Sequence, residues 1–210
     1  ALCEDLEELI DLRKSYYSKA YQVSSEKYEQ LSSHELLKIT QINPDARVYL
    51  WFEYDLFCQV NMWCVIYMLT IWNSVRDIYI VYPLKNDWMG FAAMNRNQLI
   101  EQFNLATPIS VSDLHNLQQL WSFYRKSDWE SLLLFSDYTS EALPIQNQII
   151  QAQLDRIPQK GQTGIIEETL EFLIKEHGKE DFAQIFRSFS KSMGHYGMGD
   201  LQVKRLVDQF

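Results

Sequence analysis

The stretch that decides the fold is Arg47-Val48-Tyr49-Leu50-Trp51-Phe52-Glu53-Tyr54-Asp55-Leu56-Phe57-Cys58-Gln59-Val60-Asn61-Met62-Trp63-Cys64-Val65-Ile66-Tyr67-Met68-Leu69. Val48 to Phe52 is a run of β-branched and aromatic residues, which predicts a buried strand. From Leu56 onward, apolar residues recur at 56, 57, 60, 63, 64, 67 and 68, the spacing of a helix face. The join between the two is short. It carries Glu53 and Asp55, with Gln59 and Asn61 just inside the helix. Open α/β sheets place their ligands at such turns, at the carboxyl ends of the strands. The pattern therefore predicts where a site lies, without naming its chemistry.

Working outward, Asp77 to Pro83 is a second strand, stopped by Pro83 and the Lys85-Asn86-Asp87 cluster. Strand, helix and strand between residues 48 and 83 make a βαβ unit, with parallel strands and a right-handed crossover. Upstream, Leu6 to Ala20 and Tyr28 to Ile39 have helical periodicity. Ser24 and Ser25 are candidate N-caps for the second of these, and Asn43-Pro44-Asp45 is a turn. Beyond Trp88 the patterns are all helical: 95–103, 110–125, 129–135, 143–157, 165–177, 182–191 and 201–207. Thr107-Pro108 is read as a chain break and Gln159 to Gly164 as a hinge. The expected architecture is an α/β domain over residues 1–104, its parallel sheet covered by helices on both faces, followed by an all-helical domain over 105–210.

Composition bounds the function. The 47% hydrophobic and 14% aromatic residues suffice for a core, and seven Gly and five Pro argue against a low-complexity chain. The formal charge of −9 weighs against extensive binding to nucleic acid, which requires Lys and Arg to neutralise phosphates. The three cysteines, Cys3, Cys58 and Cys64, have no metal-ligand spacing. Their odd number predicts a reducing cytoplasm rather than a disulfide framework. Leu56 to Ile71 is apolar, but Gln59, Asn61 and Asn73 interrupt it short of the roughly 20 residues of a membrane span.

Two readings fit Glu53 and Asp55. As paired carboxylates they can hold Mg²⁺ together with a phosphate group, or act as general acid and base. Alternatively, one of them caps the helix that follows. Gln59 and Asn61 either orient a ligand or satisfy nearby backbone. Gly194-His195-Tyr196-Gly197-Met198-Gly199-Asp200 lacks the preceding strand and the Lys-Ser/Thr of a P-loop. It reads as an interhelical turn with Asp200 as N-cap, or as an anion cradle. No pair of the four histidines has metal spacing. The last helices admit a helix-turn-helix reading, opposed by the acids Asp200 and Asp208 that flank Lys204 and Arg205.

The segment Leu-Trp-Phe-Glu-Tyr-Asp-Leu-Phe-Cys-Gln-Val-Asn-Met (50–62) resembles the signature of an uncharacterised bacterial family, domain of unknown function 1835. Trp88-Met89-Gly90-Phe91, Leu120-Trp121 through Asp128 ahead of Ala142-Leu143-Pro144, and Gly197-Met198-Gly199-Asp200-Leu201-Gln202 extend the resemblance over nearly the whole chain. It implies a cytoplasmic bacterial protein with a Rossmann-like N-terminal domain. Such domains open with a strand and a Gly-Asp turn that are absent here, so the first strand is expected to be missing. The family brings no established activity, and no cofactor follows from it.

The ligand-binding residues expected are Glu53, Tyr54, Asp55, Gln59, Tyr82 and Lys85, since parallel strands bring the Tyr82–Lys85 end beside the acidic turn. With no nucleophile–base pair in view, the reading is a small-ligand-binding or regulatory protein. Its ligand is small and in one version phosphorylated, and its helical half can meet a protein partner. The alternatives are a metal-assisted phosphoester hydrolase and a helix-turn-helix regulator.

Overall fold

The computed structural model describes residues 5–85, 89–158 and 163–210. Asp5 starts helix α1 (Leu6–Tyr21) by accepting the Glu8 amide on Oδ1 at 2.9 Å. Ser24 caps α2 (Ser25–Tyr28). The chain stays helical through a π turn at Glu29–Ser33, α3 (His34–Leu37) and a 3₁₀ turn at Lys38–Gln41. The Asn43 side chain then accepts the Asp45 amide at 2.9 Å, closing the turn before the first strand.

Strand β1 (Val48–Trp51) leads into α4 (Leu56–Tyr67), which a π turn at Met68–Trp72 prolongs, and the chain returns as β2 (Ile78–Val81). The two strands are parallel, with Val48 opposite Ile78 and Trp51 opposite Val81. The βαβ reading of this stretch matches the structure.

The Rossmann-like α/β class does not. The sheet has three strands in the order β1-β2-β3, and β3 (Thr107–Pro108) is two residues long and antiparallel to β2. The protein is mostly helical around this small mixed sheet. A doubly wound sheet needs repeated strand–helix units, each adding a parallel strand. Here helical periodicity resumes on both sides of residues 48–81, so one βαβ unit stands alone. Thr107-Pro108, expected only as a break, supplies the third strand; Pro108 fits there because an edge strand tolerates a missing N–H.

The remaining helices are α5 (Arg96–Asn104), α6 (Val111–Lys126), α7 (Trp129–Leu133), α8 (Gln146–Asp155), α9 (Ile165–His177), α10 (Phe182–Met193) and α11 (Asp200–Val207). Ser110 and Asp113 form a reciprocal cap at the start of α6. Burial alone would raise the Asp113 carboxyl; hydrogen bonds from Ser110, Ser140 and Tyr138 outweigh it and hold the group below its ordinary value. Of the expected hinge, residues 159–162 lie outside the described residues, as do Asn86, Asp87 and Trp88 and the opening residues 1–4.

The core explains the arrangement. Met62, Trp63 and Ile66 on α4 are almost wholly buried and face Leu117 and Leu120 of α6. The same cluster continues through Leu170, Phe189 and Val207, so it crosses the expected 104/105 boundary. A second cluster, Leu6, Ile10, Tyr28 and Met68, seats α1 and α2 on the end of α4. The outer face of the sheet carries Tyr49 and Tyr79, stacked at 5.1 Å, with Phe103 of α5 lying 4.7 Å from Tyr49.

Candidate functional site

β1 ends at Trp51, so Glu53 and Asp55 lie in the turn rather than on the strand. Asp55 is the N-cap of α4, its Oδ1 accepting the Cys58 amide at 2.9 Å. A carboxylate there meets both unpaired N–H groups and the positive end of the helix dipole. Glu53 reaches the other way: its Oε1 accepts the Phe91 amide at 2.8 Å. That bond pins the turn to the 3₁₀ segment Gly90–Ala93. Gly90 has φ +50, and a Cβ on it would overlap the Glu53 carboxylate.

Cys58 stands three residues into the turn of α4 that Asp55 caps. As a result, ligand atoms of Glu53, Asp55 and Cys58 all lie within 4.8 Å of one another. Burial, then the negative charge of Asp55, pushes the Cys58 thiol up to about 12. The thiol is therefore protonated at neutral pH. The folded state holds this proton more tightly than the unfolded chain, whose thiol titrates near ~8.5. Its contribution to stability is complete below that value and is lost as pH climbs toward about 12. Iodoacetamide should accordingly modify Cys58 of the native protein at pH 8 at least tenfold more slowly than a free thiol. Mass spectrometry of the Cys58 peptide measures this, and labelling at the free-thiol rate would contradict the buried, acid-flanked geometry.

The opposite wall comes from the far end of the chain. A 3₁₀ turn at Gly194–Tyr196 is followed by Gly197 with φ +66. A Cβ on Gly197 would overlap the Asp55 carboxylate, so glycine is what lets the two segments meet. Between them is a cleft of about 240 Å³, with Glu53, Asp55 and Cys58 on one side and Gly194, Gly197 and Gly199 on the other. The Gly-rich run is thus both an interhelical turn and a wall of the site. Gly199, not Asp200, is the N-cap of α11, and Gln202 Oε1 accepts its amide at 2.9 Å.

The other sequence-selected residues fall elsewhere. Gln59 is buried and its amide donates to the Glu53 carbonyl at 2.7 Å, bracing the turn from behind. Asn61 likewise donates to a backbone carbonyl, that of Phe57, at 2.7 Å. Tyr54 stacks on Tyr82 at 4.7 Å and 9°, and the Tyr82 hydroxyl donates to the Ala142 carbonyl at 3.1 Å. Burial raises the Tyr54 phenol and drives that of Tyr82 well above its ordinary range. Lys85 is exposed and does not line the cleft. The structure thus joins Glu53 and Asp55 to Cys58 and the glycine turn, not to Lys85.

Sequence reasoning passed over Cys58, because it looked for cysteine–cysteine or cysteine–histidine spacing. The available signal was local: an N-cap acid and the residue three positions later share the first helical turn. No histidine is among the described lining residues. In α11, Lys204 pairs with Asp208, and Arg205 donates to the Tyr16 hydroxyl at 3.2 Å. Among the described residues, no helix is long and apolar enough to cross a membrane. Compared with family models, with curated proteins and with solved structures, the chain gives no match.

Proposed function

We propose that this is a small-ligand-binding protein of regulatory type, with its site in the cleft between the Glu53–Cys58 turn and the Gly194–Gly199 turn. One observation carries the reading: a carboxylate pair and a thiol converge on an open cleft whose far wall combines the glycine turn, where Gly197 leaves room for Asp55, with side chains of α10 such as Phe186 and Met193. Asp55 accepts the Cys58 amide and is hydrogen-bonded to the Cys58 thiol, and Glu53 accepts the Phe91 amide. The remaining carboxylate lone pairs suit a hard divalent cation, through which a phosphorylated small molecule can be held. The protonated Cys58 joins the donor set only for a softer ion able to displace its proton.

Thermal unfolding of the full chain with Mg²⁺, Mn²⁺ or Zn²⁺ tests this. At about a hundredfold excess over Kd, binding should raise Tm by roughly 5 °C or more. Glu53→Gln and Asp55→Asn should each abolish the rise, Asp55→Asn while keeping the helix cap. A wild-type protein indifferent to all three ions would refute the reading. Cation-dependent cleavage of a simple phosphoester, lost in the same variants, would replace it with the metal-assisted hydrolase.

Within this proposal the protein acts in the cytoplasm, consistent with its odd cysteine count. We also propose, on the motifs quoted above, that it is a divergent member of the uncharacterised bacterial family it resembles.

A further inference from the structure

On the other side of Phe57 and Met198 from the carboxylate cleft, a groove runs between α1 and the C-terminal helices. Its central compartment, about 450 Å³, falls within the size range of small-molecule sites. Smaller recesses extend it in both directions, and Arg156 lines all three. Arg13 comes from α1, Arg156 from the end of α8 and Arg205 from α11.

Three guanidinium groups along one groove are unexpected in a chain of formal charge −9. Among the described residues, none of the three has a carboxylate at ion-pair distance. The one acid among the described lining residues is Glu167, in the Arg205 recess. Asp155, next to Arg156 in the chain, accepts from Gln151 at 2.7 Å.

Tyrosines hold the arginines in place. Arg13 Nε donates to the Tyr28 hydroxyl at 2.8 Å, and its guanidinium lies 5.8 Å from the Tyr17 ring. Arg205 donates to the Tyr16 hydroxyl at 3.2 Å and is also hydrogen-bonded to Tyr21, whose ring lies 5.8 Å from its guanidinium. Each keeps further N–H donors uncommitted, and the Arg156 guanidinium makes no hydrogen bond among the described residues. Docking of α1 accounts for Arg13 and Arg205 but gives Arg156 no task.

We propose that this groove binds a small anion that carries an aromatic ring and a phosphate group. The guanidinium forks of Arg13 and Arg156 are suited to phosphate oxygens, with Arg205 adding positive potential. The ring is held against the tyrosine walls formed by Tyr16 and Tyr21 on one side and Tyr124 and Tyr196 on the other. This site is separate from the carboxylate cleft and uses neither Glu53 nor Asp55.

The test is calorimetric titration of the full chain in EDTA, which silences any cation at the carboxylate cleft. The ligands are adenosine and uridine monophosphates, O-phosphotyrosine, phenyl phosphate, adenosine and inorganic phosphate. The aromatic phosphates should bind at least tenfold more tightly than adenosine or inorganic phosphate, and the tighter of the nucleotide and phosphotyrosine arms identifies the source. Arg156→Gln, at an exposed position, should weaken binding at least tenfold while its circular dichroism stays that of the wild type. Arg13→Gln should act in the same direction, and Glu53→Gln should leave binding unchanged. No heat with any aromatic phosphate up to millimolar concentration would overturn the proposal. So would equal binding of inorganic phosphate, or undiminished binding by Arg156→Gln.

Discussion

Replacing Trp63 with alanine should lower the free energy of unfolding by about 3–5 kcal/mol, the range for emptying a large aromatic from a closed core. Trp63 is only 1% exposed. It sits where α4 meets α6, with its ring edge-on to Tyr124 at 6.2 Å. A domain holds roughly 5–15 kcal/mol in total, so the variant should be marginal at 37 °C. Urea unfolding followed by circular dichroism measures the difference. Trp51→Ala is the control: that side chain is 40% exposed on the sheet's outer face, and its loss should cost below about 1.5 kcal/mol. Equal effects at the two positions would show that α4 is not the centre of the core.

The next largest effect is expected at Gly197, where Gly197→Ala should cost about 2–5 kcal/mol. Two terms add. The left-handed backbone, φ +66, costs an L-residue roughly 1–2 kcal/mol. Overlap of the new methyl with the Asp55 carboxylate forces a shift of the kind that costs about 1–3 kcal/mol. The two are separable. In an Asp55→Ser background, the cap is kept with a shorter side chain, so Gly197→Ala should cost only the backbone term. A double-mutant cycle by denaturant unfolding reads the difference, and a coupling energy near zero would mean that Gly197 and Asp55 do not meet. The single variant should also lose its thermal response to divalent cations, because the glycine turn and the carboxylate pair share one cleft.

Local signals carried most of the helices. Serine at 24 and 110, and the acid at 55 ahead of an apolar run, announce helix starts through side-chain oxygens that answer free N–H groups, and all three are caps. The period of residues 48–81 likewise yielded a parallel pair. What failed was extrapolation from that pair to a sheet. A two-residue strand such as Thr107-Pro108 is too short to have a period, and its pairing with Tyr79 and Ile80 is fixed by tertiary position. The acidic turn was visible for a similar local reason, since it joins two strongly patterned elements. Its partner, the Gly194–Gly199 turn, was legible as an interhelical turn or an anion cradle, but not as a neighbour of the acidic turn. Nothing in the spacing of Gly197 states that its missing side chain leaves room for Asp55. Lys85 shows the converse limit: adjacency of strand ends brings backbones together, yet this exposed side chain is not among those that line the cleft.

The cluster that runs from Leu56 to Val207 also governs how this protein can be handled. A cut near residue 104 would divide α4 from α6, leaving Met62, Trp63 and Ile66 on one fragment and Leu117 and Leu120 on the other. Each fragment would bring to water a surface built to be dry, and such surfaces adhere to whatever is present. A partner captured by residues 105–210 alone would therefore report stickiness rather than recognition. Fishing for partners calls for the intact chain as bait, with surface substitutions, rather than truncations, as the controls.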